Sequence, residues 1–296
     1  MDEQAISWGL FRRVPVEKQR QAPVLLIAAT WFFVFLGVLS MPAVAQDVRA
    51  RFAPEGASGT SAKTQVIAPN FMVSAANPHA VDAGVAILKA GGSAVDAAIA
   101  TQLVLNLVEP QSSGIGGGAF IVLFDGAGKK VRTYDGRETA PAAAQPDRFL
   151  RDGRRMSFRT VVNSGLSVGV PGLVRVMELA HQRHGLLPWA RLFEPAIRLS
   201  SEGFKVSPRL NLLLNWYGAK RFVPKARAYF FDPSGQPRPV GYLLKNVEFA
   251  DTLKRIAEGG SAAFYEDGPI ARSIIAALQS APNAKGDMTL QDIADY

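Results

Sequence analysis

Three groups of residues have types and spacings that could do chemistry. The first lies in Ser112 to Gly126, SSGIGGGAFIVLFDG, where Gly116, Gly117 and Gly118 precede an apolar run. Glycine loops can cradle phosphates, but nucleotide sites run strand, loop, helix, so that free N–H groups at the helix start meet the anion. Here the order reads helix, loop, strand. The loop follows a helix C-terminus, whose partial charge is negative, and the Lys-Ser/Thr of a P-loop is missing. The glycines instead permit backbone to pass close to backbone or to a ligand.

The second group is Glu178, His181 and His184, three apart on one helix. Glu178 and His184 are about 240° apart round that helix, so it cannot supply a three-ligand metal site alone. They read as surface residues near a helix C-terminus, where His is favoured. His79 has no evident partner. Without cysteine, these residues form no disulfide, thiolate metal site or Cys nucleophile. No GxSxG elbow and no Ser-His-Asp arrangement is legible. No cofactor and no metal is expected.

The third group is YDGRETAP, Tyr134 to Pro141, with Arg137 between Gly136 and Glu138. It ends a return strand, where loops carry function. The planar arginine fork matches a carboxylate bidentately. Arg137 is the candidate carboxylate ligand.

Elements must hold these groups in place. Asn77 caps a helix with Pro78 at its first position, stopped by Gly91-Gly92. Ser93 and Asp96 form a capping box for a second helix, which runs to Glu109 before Pro110. That helix is apolar nearly all round and belongs in a core. Ala119 to Phe124 reads as a strand covered on both faces, because every side chain is apolar. A turn at Asp125-Gly126 leads to a return strand over Lys130–Tyr134. Further helices are expected at about 172–184, 188–201, 247–258 and 269–280, and a short strand near 70–76. A capping box, Thr289 with Asp292, starts a last helix at Leu290. Less than two turns precede Tyr296, a length stable only if packed. This reads as a fragment, or one half of a larger architecture.

Composition permits a sizeable core: 48% hydrophobic and 20% charged over 296 residues, with a formal charge of +8. Arg12, Arg13, Lys18 and Arg20 precede an uncharged run from Pro23 to Leu39, followed by Ala43-Val44-Ala45. This is the layout of a secretory signal over 1–45; the run kept as an anchor is the alternative. Residues 46–69 read as a flexible leader. The basic and aromatic stretch 208–245 is broken by four prolines and reads as a surface lobe with partly buried aromatics, not a nucleic-acid site.

The order of motifs, MVSAANPHAVDAGVAILKAGGSAVDAAIATQLVLNLVEPQSSGIGGGAFIVLFD, then YDGRETAP, GLSVGVPGLV, LFEPAIRLSSEGFKVS and MTLQDIADY, resembles the large subunit of γ-glutamyltranspeptidases over about Asn70 to Tyr296. The resemblance implies an α/β (α+β) fold, the N-terminal portion of an α/β/β/α four-layer N-terminal nucleophile hydrolase sandwich, incomplete in these residues. It implies cleavage of the γ-glutamyl bond of glutathione, with transfer to water or amino acids. It also implies a small-subunit Thr nucleophile, for which no matching segment occurs here, so the chain alone is expected to be inactive. It assigns Arg137 to the α-carboxylate of the glutamyl group. Expected partners are γ-glutamyl small molecules and the small subunit, with no nucleic acid and no membrane after signal cleavage. The expected location is periplasmic or secreted. The alternatives are the large-subunit part of a related β-lactam (glutaryl) acylase, or a non-catalytic exported remnant.

Overall fold

The computed structural model describes residues 64–296, which leaves the signal over 1–45 and most of the leader outside the described residues. Helix α1 covers Pro78–Lys89, capped by Asn77, whose side chain accepts the His79 N–H. Helix α2 covers Ala94–Val108 and carries the Ser93/Asp96 capping box. Eleven of its fifteen residues are buried, so α2 is the spine against which α1 and two later helices, Leu173–His184 and Glu194–Glu202, pack. A fully buried leucine such as Leu103 contributes about 1.5–3 kcal/mol.

Strands β1, Ala119–Asp125, and β2, Lys130–Gly136, pair antiparallel with Ile121 opposite Tyr134. The turn is held by Asp125, whose carboxylate accepts the N–H groups of Ala127 and Gly128. The expectation that β1 is covered on both faces is not met among the described residues. Ala119, Ile121 and Leu123 pack on the core, while Phe120, Val122 and Phe124 are 65, 72 and 65% exposed. An apolar sequence has no period, so it cannot tell one covered face from two.

Hairpin β3, Leu150–Arg151, and β4, Arg154–Arg155, leads to α3, Phe158–Val162. Helix α4, Leu173–His184, packs on β2 and α2. The helix expected over 188–201 is a 3₁₀ turn, Trp189–Leu192, followed by α5, Glu194–Glu202, because Pro195 needs a helix start. The lobe that follows holds α6, Pro208–Tyr217, and α7, Pro224–Phe230, which its prolines start rather than break. The two-residue strands β5, Phe204–Lys205, and β6, Leu243–Leu244, pair at its base. Its aromatics pack together, Phe222 with Phe230 and Phe231, and Phe231 is fully buried. Helices α8, Val247–Gly259, α9, Ala262–Tyr265, α10, Pro269–Gln279, and α11, Leu290–Ala294, complete the order. The segment 70–76 forms no strand. The described residues are thus a mixed helix and sheet structure.

Candidate functional site

Arg137 directly follows β2. Its N–H donates to the Asp135 carboxylate at 2.8 Å, which turns the chain out of the strand. Its side chain is 64% exposed and, among the described residues, is bonded only to its neighbour, with Nη1 donating to Glu138 Oε2 at 2.5 Å. An exposed ion pair of this kind is worth about 0–1 kcal/mol. An incoming carboxylate can therefore displace Glu138 from the guanidinium at little cost.

The glycine loop lies alongside. A Cβ on Gly118 would stand 2.5 Å from the Gly136 carbonyl oxygen and 3.0 Å from Arg137 Cα. Only glycine lets the loop pass this close to the arginine's backbone. The Gly117 carbonyl accepts the N–H groups of Gly172 and Leu173, each at 3.0 Å. Those are the donors at the start of α4, the groups an anion would need, and the loop itself takes them. The loop fixes the entry to α4 and the exit from β2 together. Gly172 is equally constrained: its Cβ would lie 2.3 Å from the Gly136 oxygen.

Arg137 and Glu138 line two open depressions of about 540 and 500 Å³, within the range of small-molecule sites. The first has a polar wall from α2 and the loop after it. Gln102 Nε2 donates to Asn106 Oδ1 and Ser113 Oγ, and Ser113 Oγ donates to Asn106 Oδ1. Glu109 is buried, accepting from Asn77 Nδ2 at 2.8 Å and from the Gln111 side chain. Asn77 thus caps α1 and ties it to the end of α2. The second depression holds Thr139, Arg148, Ser167 and Gly169. Thr139 and Val170 exchange backbone hydrogen bonds, which anchors the chain beyond Arg137.

Tyr296, 159 residues away, completes the support. Its hydroxyl donates to the Arg137 carbonyl oxygen at 2.7 Å. Burial, with Asp135 and Glu138 nearby, pushes the Tyr296 phenol up, so it stays protonated and donates at neutral pH. Its ring stacks on Tyr265 at 5.7 Å. Tyr265 in turn donates to the Pro171 carbonyl and lies under the Arg175 guanidinium. Sequence reasoning missed Tyr296; it saw only that α11 needs packing, and Ile293 is indeed fully buried. No local signal links residues so far apart.

His181 and His184 take structural positions, and the reading of Glu178, His181 and His184 as plain surface residues is corrected. Glu178 accepts from the Ser261 N–H and hydroxyl. His181 Nε2 donates to the Leu187 carbonyl at 2.8 Å, beside fully buried Asp96. His184 Nε2 pairs with the Tyr134 hydroxyl at 2.6 Å. The last turn of α4 is held between β2 and the chain that follows it, so its polar side chains point at partners.

The family model for Gamma-glutamyltranspeptidase matches residues 80–296. A glutathione hydrolase proenzyme of Bacillus subtilis (strain 168) is 35% identical over 272 residues, 90% of this chain and 45% of the relative. Scoloptoxin SSD14 of Scolopendra dehaani is 39% identical over 251 residues, 82% of this chain and 42% of the relative. The crystal structure of Helicobacter pylori γ-glutamyltranspeptidase superposes with a TM-score of 0.73 at 29% identity, covering 79% of this chain and 66% of that one. A cephalosporin acylase from Bacillus halodurans gives 0.64 at 31% identity, covering 74% and 40%. The chain spans less than half the length of these curated relatives.

Proposed function

This chain belongs to the γ-glutamyltranspeptidase family, and on that premise we propose that it supplies the carboxylate-binding wall of an enzyme that cleaves the γ-glutamyl bond of glutathione and passes the glutamyl group to water or an amino acid. The observation that carries this reading is Arg137: an open guanidinium fork, braced through its backbone by Gly118 and Tyr296, beside two small-molecule-sized depressions. A substrate α-carboxylate would exchange with Glu138 for the fork and fix the glutamyl group by two parallel hydrogen bonds. Holding the substrate by the end remote from the scissile bond orients the γ-carbonyl toward a nucleophile. In this reading the nucleophile is the Thr of a small subunit outside these 296 residues, acting as such hydroxyls do with an adjacent base.

The fold would then be one part of an α/β/β/α sandwich. The exposed face of Phe120, Val122 and Phe124 supports this, since contiguous apolar surface of this kind marks a missing layer. The arrangement of 1–45 supports export, hence a periplasmic or secreted enzyme, and no helix among the described residues is long and apolar enough to cross a membrane. No group among the described residues is assigned to a cofactor. The likeness to a cephalosporin acylase favours one other reading, because a glutaryl carboxylate suits the same fork.

Calorimetric titration of the purified chain with glutathione and with a glutaryl amide separates these readings. We expect binding of the γ-glutamyl compound, weakened about tenfold or more in Arg137→Ala, and no product release. Turnover by 46–296 alone that disappears in Arg137→Ala would overturn the two-part reading, and preference for the glutaryl compound would favour the acylase.

A further inference from the structure

A second basic feature lines a cavity that Arg137 does not, and has no part in the function proposed above. Strands β3 and β4 are joined by Asp152-Gly153, with φ of +52° and +72°. Two left-handed residues in succession are what a type I′ turn requires, and Asp-Gly suits it. The register sets Arg151 directly opposite Arg154, with Arg155 opposite Leu150. Like charges facing each other across an antiparallel pair weaken it. Among the described residues, none of these three arginines has an ion pair, whereas nearby Arg148 is occupied by Asp287. All three line one cavity of about 450 Å³, together with the hydroxyls of Ser157 and Thr160, which lie 2.7 Å apart. Asp152 also lines it, one acid against three cations.

We propose that this hairpin is a binding site for a phosphate-type oxyanion, gripped by Arg151 and Arg154, with Arg155 and the one hydroxyl of the Ser157–Thr160 pair that keeps its proton free completing the donor set. An anion between the paired arginines turns their repulsion into two charge-assisted contacts. The turn at Asp152-Gly153 sets the register that brings the two arginines opposite each other, so one anion can meet both. The same chemistry reaches the site from a free phosphate or from a lipid headgroup. Phe158, 84% exposed, and Phe149 and Leu150 beside the arginines favour the headgroup, since apolar side chains next to basic ones suit a membrane surface.

The test is titration of the full chain with inorganic phosphate at ionic strength matched by sodium chloride. Saturable binding is expected, weakened about tenfold or more in Arg154→Gln. Arg151→Glu sets an acid opposite Arg154, so the unliganded chain should be as stable as the wild type or more so, while phosphate binding falls by a similar factor. A folding defect cannot produce that combination. Equal response to phosphate and chloride, or unchanged affinity in both variants, overturns the site. Co-sedimentation with phosphatidylglycerol vesicles, against phosphatidylcholine vesicles, identifies the source. Every variant keeps the apolar run Pro23 to Leu39, so only the arginine-dependent excess counts. Such an excess assigns the site to a headgroup; phosphate binding without it keeps the site and rejects the headgroup.

Discussion

Arg137 and Arg148 line the same depression and have opposite surroundings. The side chain of Arg148 is 9% exposed. Its Nη1 and Nη2 donate to the two oxygens of Asp287, each at 2.6 Å, and its Nε donates to the Leu166 carbonyl. Its fork is full. The fork of Arg137 is open to solvent and meets one neighbouring carboxylate. What is fixed at Arg137 is the backbone, by Tyr296 above and the glycine loop beside it. Arginine fitness for a carboxylate is common to both residues; only the exposed one, held by a single weak pair, can exchange its partner for a ligand. The filled one fastens the segment after the site to the chain near α11.

The largest expected effect breaks that fastening. Arg148→Met should cost about 2 kcal/mol of stability, because it leaves Asp287 without its partner. Chemical denaturation measures it, and a change under about 0.5 kcal/mol would show that the pair holds nothing. Hydrogen bonding from Arg148 holds the Asp287 carboxyl below its usual range. A carboxyl depressed on folding adds stability that is present above its unfolded value, about 3.9, and lost as pH falls through the lower folded value. Melting temperature should therefore fall more steeply below pH 4 in the wild type than in Arg148→Met. Parallel curves would contradict the assignment.

Arg137→Ala should give the inverse pattern. Stability stays within about 0.5 kcal/mol, while affinity for a γ-glutamyl ligand falls about tenfold to a hundredfold, the value of a charged hydrogen-bonding partner. Arg137→Lys keeps the charge and loses the fork, and should fall between. If Arg137→Ala unfolds the chain, the contrast between the two arginines collapses. Tyr296→Phe sharpens the comparison at smaller scale: it removes one hydrogen bond to the Arg137 carbonyl, worth about 1 kcal/mol, and keeps the stack on Tyr265. Ligand affinity should drop a few-fold with the rings still packed; an unchanged affinity would mean that the arginine is placed without it. The smallest effect is Val122→Thr on the exposed face of β1, expected within about 0.5 kcal/mol in the isolated chain. A large loss there would reveal that a layer covers this face after all.

The sequence by itself determined what local chemistry controls. Asn77, Ser93 and Thr289 start helices because their side chains satisfy N–H groups two or three residues on, and each does so. Asp125 turns the β1–β2 hairpin through bonds within three residues. The order of helix, glycine loop and strand argued against a phosphate cradle, and Arg137 stood out by its residue type and its place at a strand end. Tertiary structure decided the rest. Whether β1 is covered on one face or two depends on which layers are present, which an unbroken apolar run cannot encode. The partners of His181, His184 and Arg148 come from elements that meet only when the chain is packed. The same holds for Tyr296, whose hydroxyl meets the backbone of Arg137, 159 residues earlier in the chain. Caps and turns act over a few residues and can be read from them; a hydrogen bond across such a separation exists only because a core has brought its two ends together.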